Sequence, residues 1–350
     1  MDLGSSIRDA QSTWSFGLLM PSRFIGHSEQ REQLARRFQS KKLGQTLLFQ
    51  GPTSIGKKLL ALDLAQKDLC EKNNSCGSCQ PCCLYLETNL IDAPPPNLLF
   101  IAPEGKAGQI KVESLRSVQD LEGGIFEWLG TSLGPDLHKW VIIDDAHQLN
   151  TTSANMLLKL LEEPPSHVYF ILITHRPEAM LPTIKSRCER VIISPLDSSE
   201  VQQIALSHGW VKGEIPPMLS LAEGTCRYLD LERYERALLQ VDTWLKLLEG
   251  KGDLRDIDQL LTQKKEDEAT ASNQWLRDTL ELLLRIINDL NRIRYHAEPS
   301  LLFYSERLRI ISEREIPLRE IEDKALEALR HVDRNPSANM ILQELAFLLT

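Results

Sequence analysis

Short hydrophobic runs and longer amphipathic segments alternate along the first 195 residues of the chain. The segment Thr46–Gln50 is centred on Leu-Leu-Phe, and Lys57–Leu69, which follows a glycine-containing loop, has leucines at helical spacing. Short apolar runs are typical of buried strands, and their alternation with helices favours a parallel sheet with crossover connections. We therefore predict an α/β domain over residues 1–195.

The C-terminal third has a different pattern. Its apolar side chains recur at helical spacing in one long stretch, which contains Trp275, Leu276, Leu280, Leu283, Leu284, Ile287, Leu290 and Ile293. Such a stripe predicts a long amphipathic helix that packs within a bundle. We predict an all-α region here and assign no chemistry to it.

The loop between the first predicted strand and helix has the pattern of a P-loop, Gly51-Pro-Thr-Ser-Ile-Gly56-Lys57. In a P-loop, backbone amides surround the phosphates, the lysine reaches the β- and γ-oxygens, and the next residue is a Ser or Thr whose hydroxyl ligates Mg²⁺. Here that next residue is Lys58. An ammonium cannot ligate Mg²⁺, so the pattern predicts a P-loop fold and leaves open whether ATP and Mg²⁺ are bound. The alternative is a glycine-rich turn that binds no phosphate.

A second hydrophobic run, from Trp140, ends in the carboxylates Asp144 and Asp145. This is the pattern of a Walker B strand, in which the first acid orients magnesium or its water. Asp145 stands where many such ATPases have a glutamate that polarises the attacking water, and its side chain is one methylene shorter. The alternative is that the two acids cap a helix or bind backbone at the sheet edge.

Four cysteines, Cys70, Cys76, Cys79 and Cys82, form a C-x5-C-x2-C-x2-C pattern, and Cys83 is adjacent. Clustered thiols in a polar loop of a cytoplasmic chain favour metal ligation over disulfides. We predict one structural Zn²⁺ on these four residues, with Cys83 dispensable. Free, oxidation-prone thiols are the alternative.

The net charge of −9 argues against non-specific binding of nucleic acid by the whole surface. No apolar run approaches the roughly 20 residues that span a bilayer, and the first residues, Met-Asp-Leu-Gly-Ser, lack the features of a secretory signal. We expect a cytoplasmic protein with no membrane partner, whose contacts with DNA depend on other subunits.

Several motifs together resemble one protein family. Residues 157–165 read Leu-Leu-Lys-Leu-Leu-Glu-Glu-Pro-Pro, Ser186-Arg187-Cys188 follows about twenty residues later, and residues 24–27 read Phe-Ile-Gly-His. This combination resembles the gamma/tau and delta-prime subunits of the bacterial DNA polymerase III clamp loader, which are AAA+ proteins. The altered P-loop and residues 103–106, Pro-Glu-Gly-Lys, favour delta-prime.

The resemblance implies further assignments. It implies a P-loop AAA+ domain at 1–195 with a zinc module at 70–83, a small helical lid at 196–240 and a helical collar at 241–350. The nucleotide site, functional or vestigial, would contain Gly51, Gly56, Lys57, Asp144, Asp145, the sensor 1 residue Thr174 and the sensor 2 residue Arg227. Arg187 would project into a neighbouring subunit's ATP site as an arginine finger. Pairing of Arg187 with a local carboxylate such as Glu189 is the alternative.

Three functional hypotheses follow. The first is a stator with weak or absent ATPase activity, held with gamma/tau and delta-type subunits in a ring that loads a sliding clamp on primed DNA. The second is a gamma/tau-like active ATPase that tolerates Lys58 and Asp145. The third is an unrelated P-loop ATPase with a zinc module. Polymerase activity would belong to the assembled holoenzyme, not to this chain.

Overall fold

The computed structural model describes residues 25–87, 94–103, 108–116, 124–131, 134, 137–213, 215–262, 269–332 and 337–349. Phe24 and residues 104–106, which carry part of the family resemblance, lie outside these ranges. The chain divides into two compact units. One unit comprises residues 1–207 and 224–226, and the other comprises residues 208–223 and 227–350. The three-part division at residues 195 and 240 remains a prediction.

The first unit is built on a five-stranded sheet in which every paired strand is parallel. The strands are β1 Thr46–Gln50, β2 Leu98–Ile101, β3 Lys139–Ile143, β4 Val168–Thr174 and β5 Glu189–Ile192, in the order β2-β3-β4-β1-β5. Strands β2, β3 and β4 are buried along their whole length, as expected where helices cover both faces of a sheet. The predicted α/β fold with a parallel sheet is confirmed.

Helices lie on both faces of this sheet. The helices of this unit are α1 Ser28–Gln39, α2 Lys57–Leu69, α3 Gln80–Glu87, α4 Glu113–Arg116, α5 Gly124–Gly130, α6 Thr151–Glu162, α7 Pro182–Lys185 and α8 Ser198–Ser207, with 3₁₀ turns at Ala146–Gln148 and Pro177–Ala179. Successive residues of a strand point to opposite faces. Leu47 and Phe49 accordingly pack in the core that contains α2, whereas Leu48 packs in the core that contains α6.

Side-chain hydrogen bonds fix the start of α6. The N-cap is Asn150, whose side-chain oxygen accepts a hydrogen bond from the Ser153 amide at 2.8 Å. The Ser153 hydroxyl is buried and donates to the Ile110 carbonyl at 2.8 Å. Asn150 therefore satisfies a free amide of the first turn, while Ser153 connects α6 to a neighbouring segment.

The second unit is helical in its described residues, as predicted for the C-terminal region. Its helices are α9 Ile215–Ala222, α10 Leu231–Leu248, α11 Leu254–Thr262, α12 Ala269–Arg294, α13 Ser305–Ser312, α14 Leu318–His331 and α15 Ala338–Leu349, with a 3₁₀ turn at Leu302–Tyr304. The stripe on α12 is buried at Leu280, Leu283 and Ile287, which confirms the amphipathic helix. Within the described residues we find no helix that is both long enough and apolar enough to cross a bilayer.

Candidate functional site

The glycine loop connects β1 to α2 in the way that a P-loop requires. A Cβ atom on Gly51 would lie 2.3 Å from the Ile193 carbonyl oxygen, so only glycine allows this approach to the segment after β5. Gly56 has φ of 92°, a left-handed conformation immediately before the first residue of α2. The two glycines thus shape the loop between β1 and α2.

Lys57 is turned onto its own loop. The side chain is buried, and its ammonium donates hydrogen bonds to the carbonyl oxygens of Gly51, at 2.9 Å, and Pro52. Burial lowers the pKa of Lys57 to about 8, although the charges of Asp145 and Asp144 oppose that shift. A phosphate would have to replace these carbonyl oxygens as the partner of the ammonium.

Lys58, at the position of the missing hydroxyl, lies over an aromatic ring of β2. Its Nζ is 4.2 Å from the centroid of the Phe100 ring, a cation–π contact. Burial, followed by the charge of Asp145, raises the pKa of Asp144, and Lys58 partly offsets this rise. The field of an ammonium therefore acts on Asp144, the acid that would orient magnesium in an active P-loop enzyme.

Asp145 interacts with two histidines that the sequence analysis did not select. Its Oδ1 lies 3.1 Å from Nδ1 of His175 and 3.9 Å from Nδ1 of His147. Burial favours protonation of Asp145, but the hydrogen bond and charge of His175 outweigh it and hold its pKa below the usual value. Burial, together with the charge of His175, lowers the pKa of His147 to about 4. The carboxylate that would act on water is therefore engaged by imidazole.

Thr174, the predicted sensor 1 residue, lies in the same place. It is the last residue of β4 and is fully buried. Its hydroxyl oxygen is 3.2 Å from Nδ1 of His147 and accepts a hydrogen bond from the Arg176 amide at 3.0 Å. Thr174 and Asp145 thus both lie near His147. The two histidines follow the carboxyl ends of the adjacent strands β3 and β4.

Arg187 occupies a turn on the surface between α7 and β5. Its backbone oxygen accepts a hydrogen bond from the Thr46 hydroxyl at 2.7 Å, which fixes the turn to β1. The guanidinium lies 3.3 Å from Glu162 and donates to the Thr183 carbonyl at 3.0 Å. The nearby carboxylate is therefore Glu162 and not Glu189, which instead pairs with Arg37 at 2.6 Å.

Arg227, the predicted sensor 2 residue, lies in the helical unit. Its guanidinium is 2.9 Å from Glu281 and 3.3 Å from Asp278, two carboxylates of α12. Burial opposes the charged form, but these two carboxylates raise the pKa of Arg227 above its ordinary value. Its charge is already compensated within α12, so this geometry gives no support to a nucleotide-binding role.

The four predicted cysteine ligands converge in the loop between α2 and α3. Cys70 caps the end of α2, and one sulfur from each of Cys70, Cys76, Cys79 and Cys82 lies within 4.8 Å of the others. The Cys76 and Cys82 sulfurs are 4.0 Å apart, close to the roughly 3.8 Å expected between thiolates at 2.3 Å from a tetrahedral zinc. The ligand set that comes together does not include Cys83.

The surroundings of two of these sulfurs, those of Cys70 and Cys76, favour thiolates. The amide of Cys76 donates to the Cys70 sulfur, and the amide of Cys79 donates to the Cys76 sulfur, each at 3.4 Å. Hydrogen bonds from Ser78 and Cys79 lower the pKa of Cys76 to about 5, whereas burial raises that of Cys82. A divalent cation would hold all four as thiolates. The residues present therefore fit a closed four-thiolate metal site.

Comparisons with known proteins identify the family of the chain. The family model described as "DNA polymerase III, delta subunit" matches residues 26–197. The chain is 31% identical over 250 residues to DNA polymerase III subunit delta' of Yersinia pestis, covering 67% of this chain and 68% of that protein. It is 37% identical over 144 residues to the delta' subunit of Pseudomonas aeruginosa, covering 40% of each chain.

Other matches are more distant or cover less. Subunit tau/gamma of Haemophilus influenzae is 30% identical over 197 residues, covering 55% of this chain and 26% of that protein. The crystal structure of a Thermotoga maritima protein related to the DNA polymerase III gamma subunit aligns with a TM-score of 0.47 at 17% identity, covering 91% and 98% of the two chains. The Yersinia and Pseudomonas matches, together with the family model, establish that the chain belongs to the delta-prime family of DNA polymerase III clamp-loader subunits.

Proposed function

We propose that this chain is the stator of a clamp loader. It holds gamma/tau-type ATPases and a delta-type subunit in a hetero-oligomeric ring in the cytoplasm, and the ring loads a sliding clamp on primed DNA. Its own ATP hydrolysis is weak or absent. The observation that carries this proposal is Lys58, which lies over the Phe100 ring where a P-loop ATPase has the hydroxyl that ligates Mg²⁺.

The acidic side of the site supports the same conclusion. Phosphoryl transfer depends on a metal that neutralises the phosphates and on a group that positions the attacking water. Asp144 lies in the field of Lys58 rather than beside a magnesium ligand, and Asp145 is hydrogen-bonded to His175. The metal-binding part and the water-positioning part of the site are thus both altered, while the two loop glycines and Lys57 remain.

Arg187 has properties suited to action on a neighbouring subunit. Its backbone is fixed to β1, but its guanidinium lies at the surface and pairs with an exposed carboxylate, Glu162. Exposed ion pairs contribute about 0–1 kcal/mol. A γ-phosphate could therefore replace Glu162 as partner at little cost, and a planar guanidinium matches phosphate oxygens in two places.

The cysteine loop would hold a structural Zn²⁺ on Cys70, Cys76, Cys79 and Cys82. Four thiolates close a tetrahedral coordination sphere and leave no position for water or substrate. The ion would stabilise the loop that joins α2 to α3 and take no part in a reaction.

Two measurements test the stator role. We expect the purified chain to hydrolyse ATP at background rate, below about 0.1 s⁻¹, and we expect the partner subunits to need this chain for clamp loading on primed DNA. Turnover well above that rate without partners would contradict the proposal and favour a gamma/tau-like motor. The retained Lys57 and Asp144 are the features that support this alternative. Full clamp loading by the partners without this chain would also contradict it.

A further inference from the structure

Three side chains that can ligate a metal meet at the carboxyl edge of the sheet, outside the cysteine loop. Asp145 and His147 follow β3, and His175 is the first residue after β4. Strands β3 and β4 are adjacent and parallel, with Ile143 paired to Leu172, so the two loops leave the sheet side by side. One ligand atom from each of the three residues lies within 4.8 Å of the other two.

The distances are close to those of a ligated ion. Oδ1 of Asp145 is 3.1 Å from Nδ1 of His175 and 3.9 Å from Nδ1 of His147. Nitrogen and oxygen ligands at about 2.0–2.1 Å from one ion are separated by roughly 2.8–3.4 Å in octahedral or tetrahedral geometry. The distance between Asp145 and His147 exceeds the upper end of that range by about 0.5 Å, and Nδ1 of His147 would exchange its contact with the Thr174 hydroxyl, at 3.2 Å, for the ion.

The shape of the cluster also suits an ion with water in its remaining positions. The two imidazole rings are nearly perpendicular, at 83°, with centroids 4.5 Å apart. The His147 side chain is 3% exposed, whereas that of Asp145 is 43% exposed, so the cluster is closed on one side and open to solvent on the other.

The backbone conformation of Asp145 is a second observation that points to a functional site. It has φ of 45° and ψ of 48°, a left-handed conformation that is uncommon outside glycine and that aspartate adopts more readily than most residues. Such conformations concentrate at functional sites, where the surrounding structure holds them in place. Here the conformation accompanies a carboxylate that lies within hydrogen-bond distance of His175.

We infer that Asp145, His147 and His175 bind a divalent first-row transition-metal ion such as Zn²⁺, Co²⁺ or Fe²⁺. Two imidazoles and one carboxylate are ligands for such ions and not for Mg²⁺, which prefers oxygen ligands and keeps its waters. The ion would connect the loops that follow β3 and β4, beside the P-loop. This site does not depend on the stator role, since an ion could bind there in either a stator or a motor.

The test uses Co²⁺ as a spectroscopic probe. The full-length chain, with its cysteine site first filled with Zn²⁺, is titrated with Co²⁺ and followed by absorption and calorimetry. We expect one further equivalent per chain, with weak visible bands and without the intense near-ultraviolet bands of cobalt–thiolate bonds. Those missing bands distinguish this site from exchange at the cysteines.

The variants His175→Ala and Asp145→Asn should each weaken this second binding event at least tenfold, because even the outer partners of metal ligands are typically worth 10–100-fold. His331→Ala, at the end of α14 in the other unit, is the matched control and should bind as the native chain does. Thermal melting of each variant confirms that it is folded. Absence of a second equivalent in the native chain, or its retention at equal affinity in folded His175→Ala and Asp145→Asn, would overturn the inference.

Discussion

The P-loop region and the cysteine loop lie at opposite ends of one helix, α2, and they differ in what remains of their chemistry. In the cysteine loop all four predicted ligands come together, and amides point at their sulfurs. In the P-loop region the glycine geometry is complete, yet Lys57 binds its own loop and Lys58 lies on Phe100. The comparison shows that a loop can keep its backbone geometry while the side chains that would use it are replaced or redirected.

The largest effect should come from removing ligands of the intact site. In Cys76→Ser, Cys79→Ser we expect bound zinc to fall from one equivalent per chain to less than about half, with loss of order around Cys70–Cys82. Structural zinc sites contribute roughly 10–16 kcal/mol of apparent binding free energy in small domains, so loss of two ligands should be decisive. Metal analysis after gentle purification measures it.

Cys83→Ser is the matched control for that experiment, because Cys83 lies beside the cluster but outside the ligand set. It should retain the full equivalent. Full retention of zinc in the double variant would show that these cysteines do not bind it, and the cysteine loop would then be no more functional than the P-loop region.

The second-largest effect should come from removing the Arg187 guanidinium, which this chain would offer to another subunit's ATP site. Arg187→Ala, assembled with the partner ATPases, should lower hydrolysis at the site it contacts by about 10³, the typical contribution of an arginine finger. Arg187→Lys should fail as well, because it keeps the charge but loses the planar fork. The measurement is DNA-stimulated ATP hydrolysis and clamp loading at equal complex yield.

Arg190→Ala supplies the control, since Arg190 is an exposed arginine of β5 three residues away. It should leave both activities unchanged. If both Arg187 variants are as active as the native assembly, Arg187 is only the partner of Glu162.

A third prediction concerns the helix between the two regions. Asp63 of α2 is buried and accepts from Arg31 at 2.9 Å and from Lys67 at 2.8 Å. Asp63→Asn should lower the free energy of unfolding by about 2–3 kcal/mol, somewhat below the usual cost of breaking a fully buried pair because both cations are partly exposed. Glu32→Gln, in the exposed pair with Arg36, should cost less than about 0.5 kcal/mol.

The same carboxylate gives a pH dependence with a defined sign. Burial opposes ionisation of Asp63, but the hydrogen bonds of Arg31 and Lys67 hold its pKa below the ordinary value. The unfolded chain therefore binds the proton more tightly, and this stability is present above the unfolded pKa of about 3.9 and lost as pH falls through it toward the folded value. Denaturant unfolding between pH 6 and pH 3 should show a shallower loss in Asp63→Asn; equal slopes would contradict the assignment.

The smallest effect should come from restoring a hydroxyl at position 58 of the altered P-loop. Lys58→Thr supplies the missing hydroxyl, and we expect it to bind Mg·ATP about tenfold more tightly than Lys58→Ala, which removes the ammonium without replacing the ligand. Hydrolysis should stay at background, because Asp145 remains bound to His175. Calorimetric titration measures the binding. Equal affinities in the two variants would show that the hydroxyl is not what the site lacks.

Prediction from sequence succeeded where the geometry is local. The strand, loop and helix around Gly51–Lys57 and the four cysteines each lie within one short segment, and their spacing alone indicates their geometry. The partners of Asp145 could not be found in this way, because His175 is 30 residues distant and approaches only through the pairing of β3 with β4. Its position directly after a buried strand was the available signal. Glu162 as the partner of Arg187 likewise depends on how α6 and α7 pack.

Helix α2 begins at Lys57 and reaches Cys70 thirteen residues later, a rod of about 20 Å. In a motor subunit the metal near a P-loop arrives with each nucleotide and leaves with the product, so the ligands at the start of the helix change in every cycle. Zinc bound as proposed to the cysteine loop would instead anchor the far end of α2 with an ion that stays throughout. In the proposed stator, α2 would not respond to a nucleotide cycle, and the subunit could offer its neighbours a fixed surface while they change shape.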